Sequence, residues 1–508
     1  MGAYFLGIDN GSTLTKAVLF DAEGNEIEGA SRKVPQIQEQ AGFTERDMEV
    51  LWRANVEVIG EVLKKATEKH GIKAEDVQGI ACTGHGKGLY LWGTDGKPAY
   101  NGIISTDSRA WSYAEAWNKD GTADRVREKT YQSVLASQPV SLLRWFKDHA
   151  PEVLINTRWI FEVKDYIRFR LTGEAWAEIT DYSGSSMMNI RDVRFEKELL
   201  DEFGLGDMLD KLPPIKYSTD KCGAISAETA AATGLRIGTP VAGGMFDIDA
   251  CAVAMDVTDD EKLCIIAGTW SINEYVSATP VLNKSIMMNS LFCLPGKYLV
   301  EECSPTSAGN NEWFTEFFLD SEKRQAAERK MNVYALADEM AATVPPDGQN
   351  IVFLPYIYGS NYNPRAKACF IGLDSTHTRA QLIRSVLEGV AFCHKVHVDK
   401  LVTNRTSTKV ARLAGGAANS RLWAHIFADV LNLTVELIET KELGTLGCAM
   451  AAAVASGVYP DLKAAATRMV KVKARIEPNP ANVAIYAKKF GRYKKVSAAL
   501  DGLWGEFA

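Results

Sequence analysis

The chain has 508 residues, 57 Lys+Arg against 64 Asp+Glu for a formal charge of −7, 46% hydrophobic and 24% charged residues. That length exceeds one hydrophobic core and calls for about two to four domains, while the composition leaves no long stretch polar enough for disorder. The acidic balance argues against duplex nucleic acid as the main partner, and the densest apolar stretch, Cys448 to Ala455, is too short to span a bilayer. Taking the elements in chain order, Tyr4 to Asp9 reads as a buried strand and Asn10 to Thr13 as a turn, followed by strands at Thr15 to Phe20 and Ile27 to Val34. Met48 to Ala66 carries apolar residues at helical spacing, and Val77 to Thr83 returns as a strand, giving an α/β domain that opens on a strand meander.

A second strand-turn-strand of the same type runs Lys262 to Ala267, Gly268 to Ser271 and Ile272 to Val276, so the chain reads as two related halves. The acidic turn Thr258 to Glu261 places their division near residue 257, giving domains 1–257 and 258–508. The pairs Lys488-Lys489 and Lys494-Lys495 near the end read as a solvated helix face. Nine cysteines without a Cys-x-x-Cys pair predict buried thiols. His394 and His397, one helical turn apart, have no third metal ligand nearby and read as a packed helix face. Met1 to Leu6 shows no targeting features, which with the cysteines points to a cytoplasmic protein.

Both turns carry groups suited to a nucleotide's phosphates. In the first, Gly11 permits close backbone approach, and Ser12, Thr13 and Lys16 can donate to phosphate oxygens; Gly268, Thr269 and Ser271 repeat the arrangement in the second half. Either turn alone is equally an ordinary Gly-Ser/Thr hairpin. The pairs Gly86-Lys87, Gly96-Lys97 and Gly296-Lys297 lack the Ser or Thr of a P-loop, and no Gly-x-Gly-x-x-Gly follows the first strand, so neither nucleotide fold is supported.

Leu6-Gly-Ile-Asp-Asn-Gly-Ser-Thr13 with Lys16 resembles the first phosphate loop of the sugar kinase, actin and chaperone ATPase superfamily. Ala368-Cys-Phe-Ile-Gly-Leu373, followed by Gln381-Leu382 and Ser385-Val-Leu-Glu388, matches the C-terminal signature of the FGGY carbohydrate kinases throughout. Ser137 to His149 resembles their other signature, with Leu142 in place of the usual Lys. The resemblance covers nearly the whole chain. It implies a two-domain α/β fold of the ribonuclease H-like type, as in actin, hexokinase and the chaperone ATPases, with an interdomain cleft that closes over the substrates.

The resemblance also assigns roles. Asp247, ending Gly243-Gly-Met-Phe-Asp247, occupies the catalytic-base position, where it would also contact the acceptor hydroxyl; a tight turn is the other reading of two glycines before a carboxylate. Asp249 is the weaker candidate. Asp9 matches the carboxylate that holds hydrated Mg2+ beside the phosphates of ATP. Gly415, Gly416 and Asn419 resemble the adenosine-side loop, and Glu442, Gly444 and Gly447 follow in the region expected near the base, where they serve equally as helix-start packing residues. His85, Gly86, Lys87 and Asp107 resemble sugar-facing loops, although Ser105 to Arg109 lacks the Trp of the family's Trp-Asn-Asp-x-Arg. Lys164 to Gly173 with Thr180-Asp181 resembles a scaffolding segment.

Within the family, His85 to Leu89, Gly244 to Asp247, Ser304 to Ser307 with Gly309 to Phe314, and Phe353 to Asn361 look most like L-xylulose kinases. The implied activity is ATP-dependent phosphorylation of a terminal hydroxyl of a small sugar or polyol, a pentulose such as L-xylulose first, with erythritol, glycerol and ribulose kinases sharing the frame. ATP and the sugar are the implied partners, with neither nucleic acid nor membrane, and a homodimer is left open. An actin-like or chaperone-like ATPase would share the phosphate turns, but has no need of Asp247 as a base for a sugar hydroxyl.

Overall fold

The computed structural model describes residues 2–360, 363, 365–403 and 408–507. Strand β1 (Tyr4–Asn10) has Phe5, Leu6 and Ile8 fully buried on both faces, so it belongs inside a sheet that is covered on two sides. It pairs antiparallel with β2 (Leu14–Asp21), which pairs with β3 (Glu26–Lys33), and parallel with β4 (Val77–Gly84). With β5 (Lys221–Ala224) and β6 (Pro240–Ala242) the sheet order is β5-β6-β4-β1-β2-β3. Helix α1 (Met48–His70) covers β2 and β3. Asp47 caps it by accepting from the N–H groups of Glu49 and Val50, Gly71 ends it in the left-handed conformation, and Leu51, Val58, Ile59 and Val62 are buried. Each of those side chains contributes about 1.5–3 kcal/mol by leaving water.

Packing divides the chain into two units: Met1–Thr258, Val276–Val300 and Glu442–Val470 in the first, and Asp259–Tyr275, Glu301–Lys441 and Lys471–Ala508 in the second. The changeover after Thr258 adjoins the division expected near residue 257, but the two later segments of the first unit are not captured by a single cut. The helix Leu443–Ala455 supplies the reason. It is buried from Leu443 to Ala453, apolar all round, and packs on β1, β4 and the helix Asp247–Ala254.

In the second unit β7 (Lys262–Ala267) pairs antiparallel with β8 (Ser271–Ser277) and parallel with a later strand, repeating the relation of β1 to β2 and β4. With β9 (Tyr298–Ser304), β10 (Val410–Gly415), β11 (Thr434–Ile438) and β12 (Val472–Ile476), the order is β9-β8-β7-β10-β11-β12. The C-terminal signature is structural here. Glu388 on the helix Arg379–Thr403 accepts hydrogen bonds from Arg384 Nε (2.9 Å), Gln349 Nε2 (2.7 Å), the Tyr486 hydroxyl (3.2 Å) and Lys489 Nζ. Lys489 is therefore buried against a carboxylate instead of lying on a solvated face, and losing one partner of such a cluster costs about 3–5 kcal/mol. Phe370 of the same signature packs its ring 4.6 Å from that of Phe353. Leu142, where the family pattern has Lys, is fully buried on the helix Pro139–His149, a place an ammonium could not occupy unpaired. Asn361, at the end of the Phe353 segment, lies outside the described residues. Among the described residues no helix is long and apolar enough to cross a membrane.

Candidate active site

In open α/β sheets ligands gather at the carboxyl ends of parallel strands, and β1 and β4 are adjacent parallel strands of the first unit. Asp9 and Asn10 end β1, opposite Thr83 and Gly84 at the end of β4, and His85 N donates to Asn10 O at 3.1 Å. The turn expected to hold phosphate and the loop expected to face the sugar therefore leave adjacent strand ends side by side. Asn10 is held by the Thr15 hydroxyl (3.1 Å) and Asn55 Nδ2 (2.8 Å), both donating to its side-chain oxygen.

Lys16 lies opposite Asp9 in the β1–β2 register, and its ammonium donates to Glu442 Oε2 at 2.7 Å. Gly444, two residues on, stands over Asp9, since a Cβ there would lie 3.0 Å from Asp9 Oδ2. Gly447 packs on Ala250. Glu442, Gly444 and Gly447, expected near the adenine, thus belong by packing to the Asp9 side of the first unit. Burial pushes the Asp9 carboxyl up to about 6, with Lys16 lowering it and Glu442 raising it. Of the other turn residues, Gly11 and Ser12 are half-buried and Thr13 is exposed.

Asp247 begins the helix Asp247–Ala254. The chain reaches it through Gly244, whose φ of +76° and approach to Cys82 O, 2.0 Å from where a Cβ would sit, admit no side chain. Phe246 N donates to the Thr180 hydroxyl at 2.8 Å, pinning the approach from behind. Burial raises the Asp247 carboxyl well above the usual carboxylate range; the negative charges of Asp9 and Asp181 raise it further, and the Ile248 N–H and Lys87 draw it down. The neighbouring Asp181 is pushed up to about 7, chiefly by burial against the pull of Lys164. Lys164 is fully buried among Asp165 (2.7 Å), Glu178 (3.2 Å) and Asp181 (3.5 Å), so the scaffolding segment forms an ionic block in the first unit that reaches Asp247 through Asp181. Asp249 is buried and accepts from Cys293 N at 3.1 Å, a structural placement.

Of the sugar-facing candidates, the structure brings His85, Gly86 and Lys87 to Asp247. Gly86 lies against the Phe246 ring, 2.2 Å from where its Cβ would be, and Lys87 adopts φ +63°, an uncommon backbone state for a side-chain-bearing residue. Asp107 is placed differently. Its carboxylate is buried and takes hydrogen bonds from Arg109 Nε (3.0 Å) and Nη2 (2.9 Å) and from Thr44 N (2.7 Å). Arg109 in turn meets Glu45 at 2.6 Å and lies 4.0 Å over the Phe43 ring. Asp107 thus anchors a loop. The residues missed in the sequence reading are Arg46 and Tyr90, where Arg46 Nε donates to the Tyr90 hydroxyl and that hydroxyl meets His85 Nε2; Thr180 was expected only as part of a scaffolding segment.

In the second unit, Gly268 and Thr269 form the β7–β8 turn, with Thr269 exposed and Gly268 N donating to Trp270 O at 3.2 Å. Ala267 and Gly415 are register partners on β7 and β10, so the turn Gly415-Gly416 and the exposed Asn419 lie beside it. Gly415, at φ +82°, leaves only 2.4 Å between a would-be Cβ and Ala267 O. Ser271 faces the other way. It is buried, and its hydroxyl lies 3.1 Å from His394 Nδ1, while His394 Nε2 meets Ser307 Oγ at 2.7 Å. His397 meets Glu302 at 3.1 Å. The histidine pair therefore braces β8 and β9.

Asp9 offers the hard oxygen donor that Mg2+ prefers, and its neighbour Lys16 is engaged by Glu442, so the residues present fit a hydrated cation beside Asp9. Residues 4–254 match the N-terminal domain, and residues 263–456 the C-terminal domain, of the FGGY family of carbohydrate kinases. The chain is 34% identical over 513 residues to the L-xylulose/3-keto-L-gulonate kinase of Escherichia coli (strain K12), covering 99% of this chain and 98% of that one. It is 33% identical over 502 residues to a probable L-xylulose kinase of Pasteurella multocida (strain Pm70), covering 98% and 99%. In fold it is similar to the ligand-bound xylulose kinase of Lactobacillus acidophilus, with a TM-score of 0.90, 24% identity and full coverage of both chains. With both domain profiles matched and the relatives covered end to end, the chain belongs to the FGGY family of carbohydrate kinases.

Proposed function

We propose that this kinase transfers the γ-phosphoryl group of ATP to a terminal hydroxyl of a pentulose, L-xylulose first. The observation that carries the reading is Asp247, a carboxylate of raised basicity at a glycine-shaped strand end beside Lys87 and Asp9, together with relatives named for L-xylulose. Asp247 accepts the proton of the attacking hydroxyl, whose oxygen bonds to the γ-phosphorus as the bond to the β-phosphate oxygen breaks and ADP leaves. Gly11, Ser12, Thr13 and Lys16 of the first turn are its candidate phosphate contacts, and Gly268, Thr269, Gly415, Gly416 and Asn419 are candidate nucleotide contacts of the second turn and its neighbour. Ser271 supports its turn from inside. His85, Gly86 and Lys87 face the sugar, and Asp107 holds the neighbouring loop. Asp9 would hold Mg2+ through water, and the bound ion would neutralise charge on the phosphates. The setting in this reading is cytoplasmic.

An ATP-consumption screen across pentuloses, pentitols and tetritols, with 3-keto-L-gulonate included, tests the proposal. L-Xylulose should give the highest kcat/KM; a tetritol or glycerol well ahead of every pentulose would overturn the substrate assignment.

A further inference from the structure

Tyr90 is fully buried, and its phenol oxygen has two polar neighbours. Arg46 Nε donates to it at 2.8 Å, and His85 Nε2 lies 2.9 Å away. A guanidinium can only donate, so Arg46 occupies a lone pair of the phenol and leaves its single O–H in need of an acceptor. Among the described residues the acceptor in reach is His85 Nε2. Were His85 to carry its proton on Nε2, two donors would point at Tyr90 and the buried phenol proton would have no partner. Arg46, itself fully buried, also donates through Nη1 to Gly11 O at 3.0 Å, so one cation touches both the first phosphate turn and the support of His85.

We propose that Arg46 and Tyr90 are positioning residues that hold His85 in the tautomer with Nδ1 protonated and Nε2 accepting, so that His85 offers a donor to an oxygen of the sugar. Among the described residues the partners in reach of that N–H are backbone groups of its own loop at Gly86 and Lys87, with Gly86 O at a long 3.3 Å. The imidazole stays neutral across the physiological range, because burial and the Arg46 charge draw its titration down to about 3. A neutral donor suits a hydroxyl or keto oxygen, whereas an acceptor at Nδ1 would select a different hydroxyl geometry. The shared guanidinium ties this donor to the phosphate turn, so the two substrate sites are ordered together. The inference rests on the reading that the sugar lies against the His85 loop.

Selective 15N labelling of the seven histidines, with His85 assigned by comparison with His85→Gln, reads the tautomer in the sugar-free protein and needs no substrate. The expected pattern is a bare Nε2 and a protonated Nδ1 in the wild type, shifting toward Nε2 protonation in Tyr90→Phe. A wild-type Nε2–H, or an unchanged pattern in Tyr90→Phe, overturns the relay. In kinetics with whichever acceptor the screen ranks first, Tyr90→Phe should raise the sugar KM about 5–10-fold with the ATP KM unchanged, as for one lost hydrogen bond. Arg46→Met should raise both. Equal changes in both KM values for Tyr90→Phe would reduce it to a packing residue. Failure of the pentulose assignment would show in the wild-type screen, while the histidine spectrum still decides the tautomer.

Discussion

Replacing Asp247 by Asn keeps the shape of the side chain and removes its basicity, so it separates chemistry from folding. Losing a general base lowers turnover by about 10²–10⁴-fold, equivalent to about 2.7–5.4 kcal/mol on the barrier. The effect on stability should have the opposite sign. Burial and the charges of Asp9 and Asp181 disfavour the ionised Asp247 carboxylate in the folded state, so a neutral amide there should leave the melting temperature equal or higher. ATP affinity by calorimetry should stay near wild type. The wild-type kcat/KM should fall as pH is lowered through the raised titration of Asp247, because the base must be ionised to take the proton; Asp247→Asn should lack that limb. A variant that keeps more than about a tenth of wild-type turnover would refute the assignment of Asp247 as the base.

Further outcomes follow from the surrounding groups. Asp9→Asn should raise the melting temperature at pH 8 and hardly change it at pH 4: the Asp9 carboxyl is pushed up to about 6, the folded state therefore binds its proton more tightly than the unfolded, and the stability this gives at low pH is lost as pH rises through 6. An equal change at both pH values, read by scanning calorimetry, would contradict this. Lys16→Ala and Thr269→Ala should each raise the ATP KM or slow transfer while leaving the ranking of sugars intact, checked by steady-state kinetics with two epimers. His394→Leu should destabilise the second unit by about 1–3 kcal/mol for each buried polar partner left unsatisfied at Ser271 and Ser307, measured by urea unfolding. His85→Ala should narrow the difference in kcat/KM between L-xylulose and its epimers more than it alters the ATP KM; equal losses for all sugars would make His85 a packing residue.

The amino-acid sequence by itself determined whatever depends on neighbours a few residues away. The expected strands Tyr4 to Asp9 and Lys262 to Ala267 lie within one residue of those observed, because continuous apolar runs bounded by Gly-Ser/Thr turns specify a strand locally. Met48 to Ala66 was legible as a helix from its apolar spacing, and the observed helix runs on to His70, where Gly71 stops it. The glycines before Asp247 were legible only as a turn or a strand end, because what bars a side chain at Gly244 is Cys82 O on a distant strand, 2.0 Å from where a Cβ would be. Tertiary structure decided which polar groups are already satisfied. Asp107 looked available for a sugar until Arg109 and Thr44 took its lone pairs, and Ser271 looked like a phosphate donor until His394 held it inside. Lys16 meets Glu442 across 426 positions of chain, a pairing that no periodicity contains. Propensity and hydrophobic period act through local backbone geometry, whereas a buried hydrogen bond depends on which distant segment folding delivers, and only that delivery settles whether a side chain supports the site or faces its substrate.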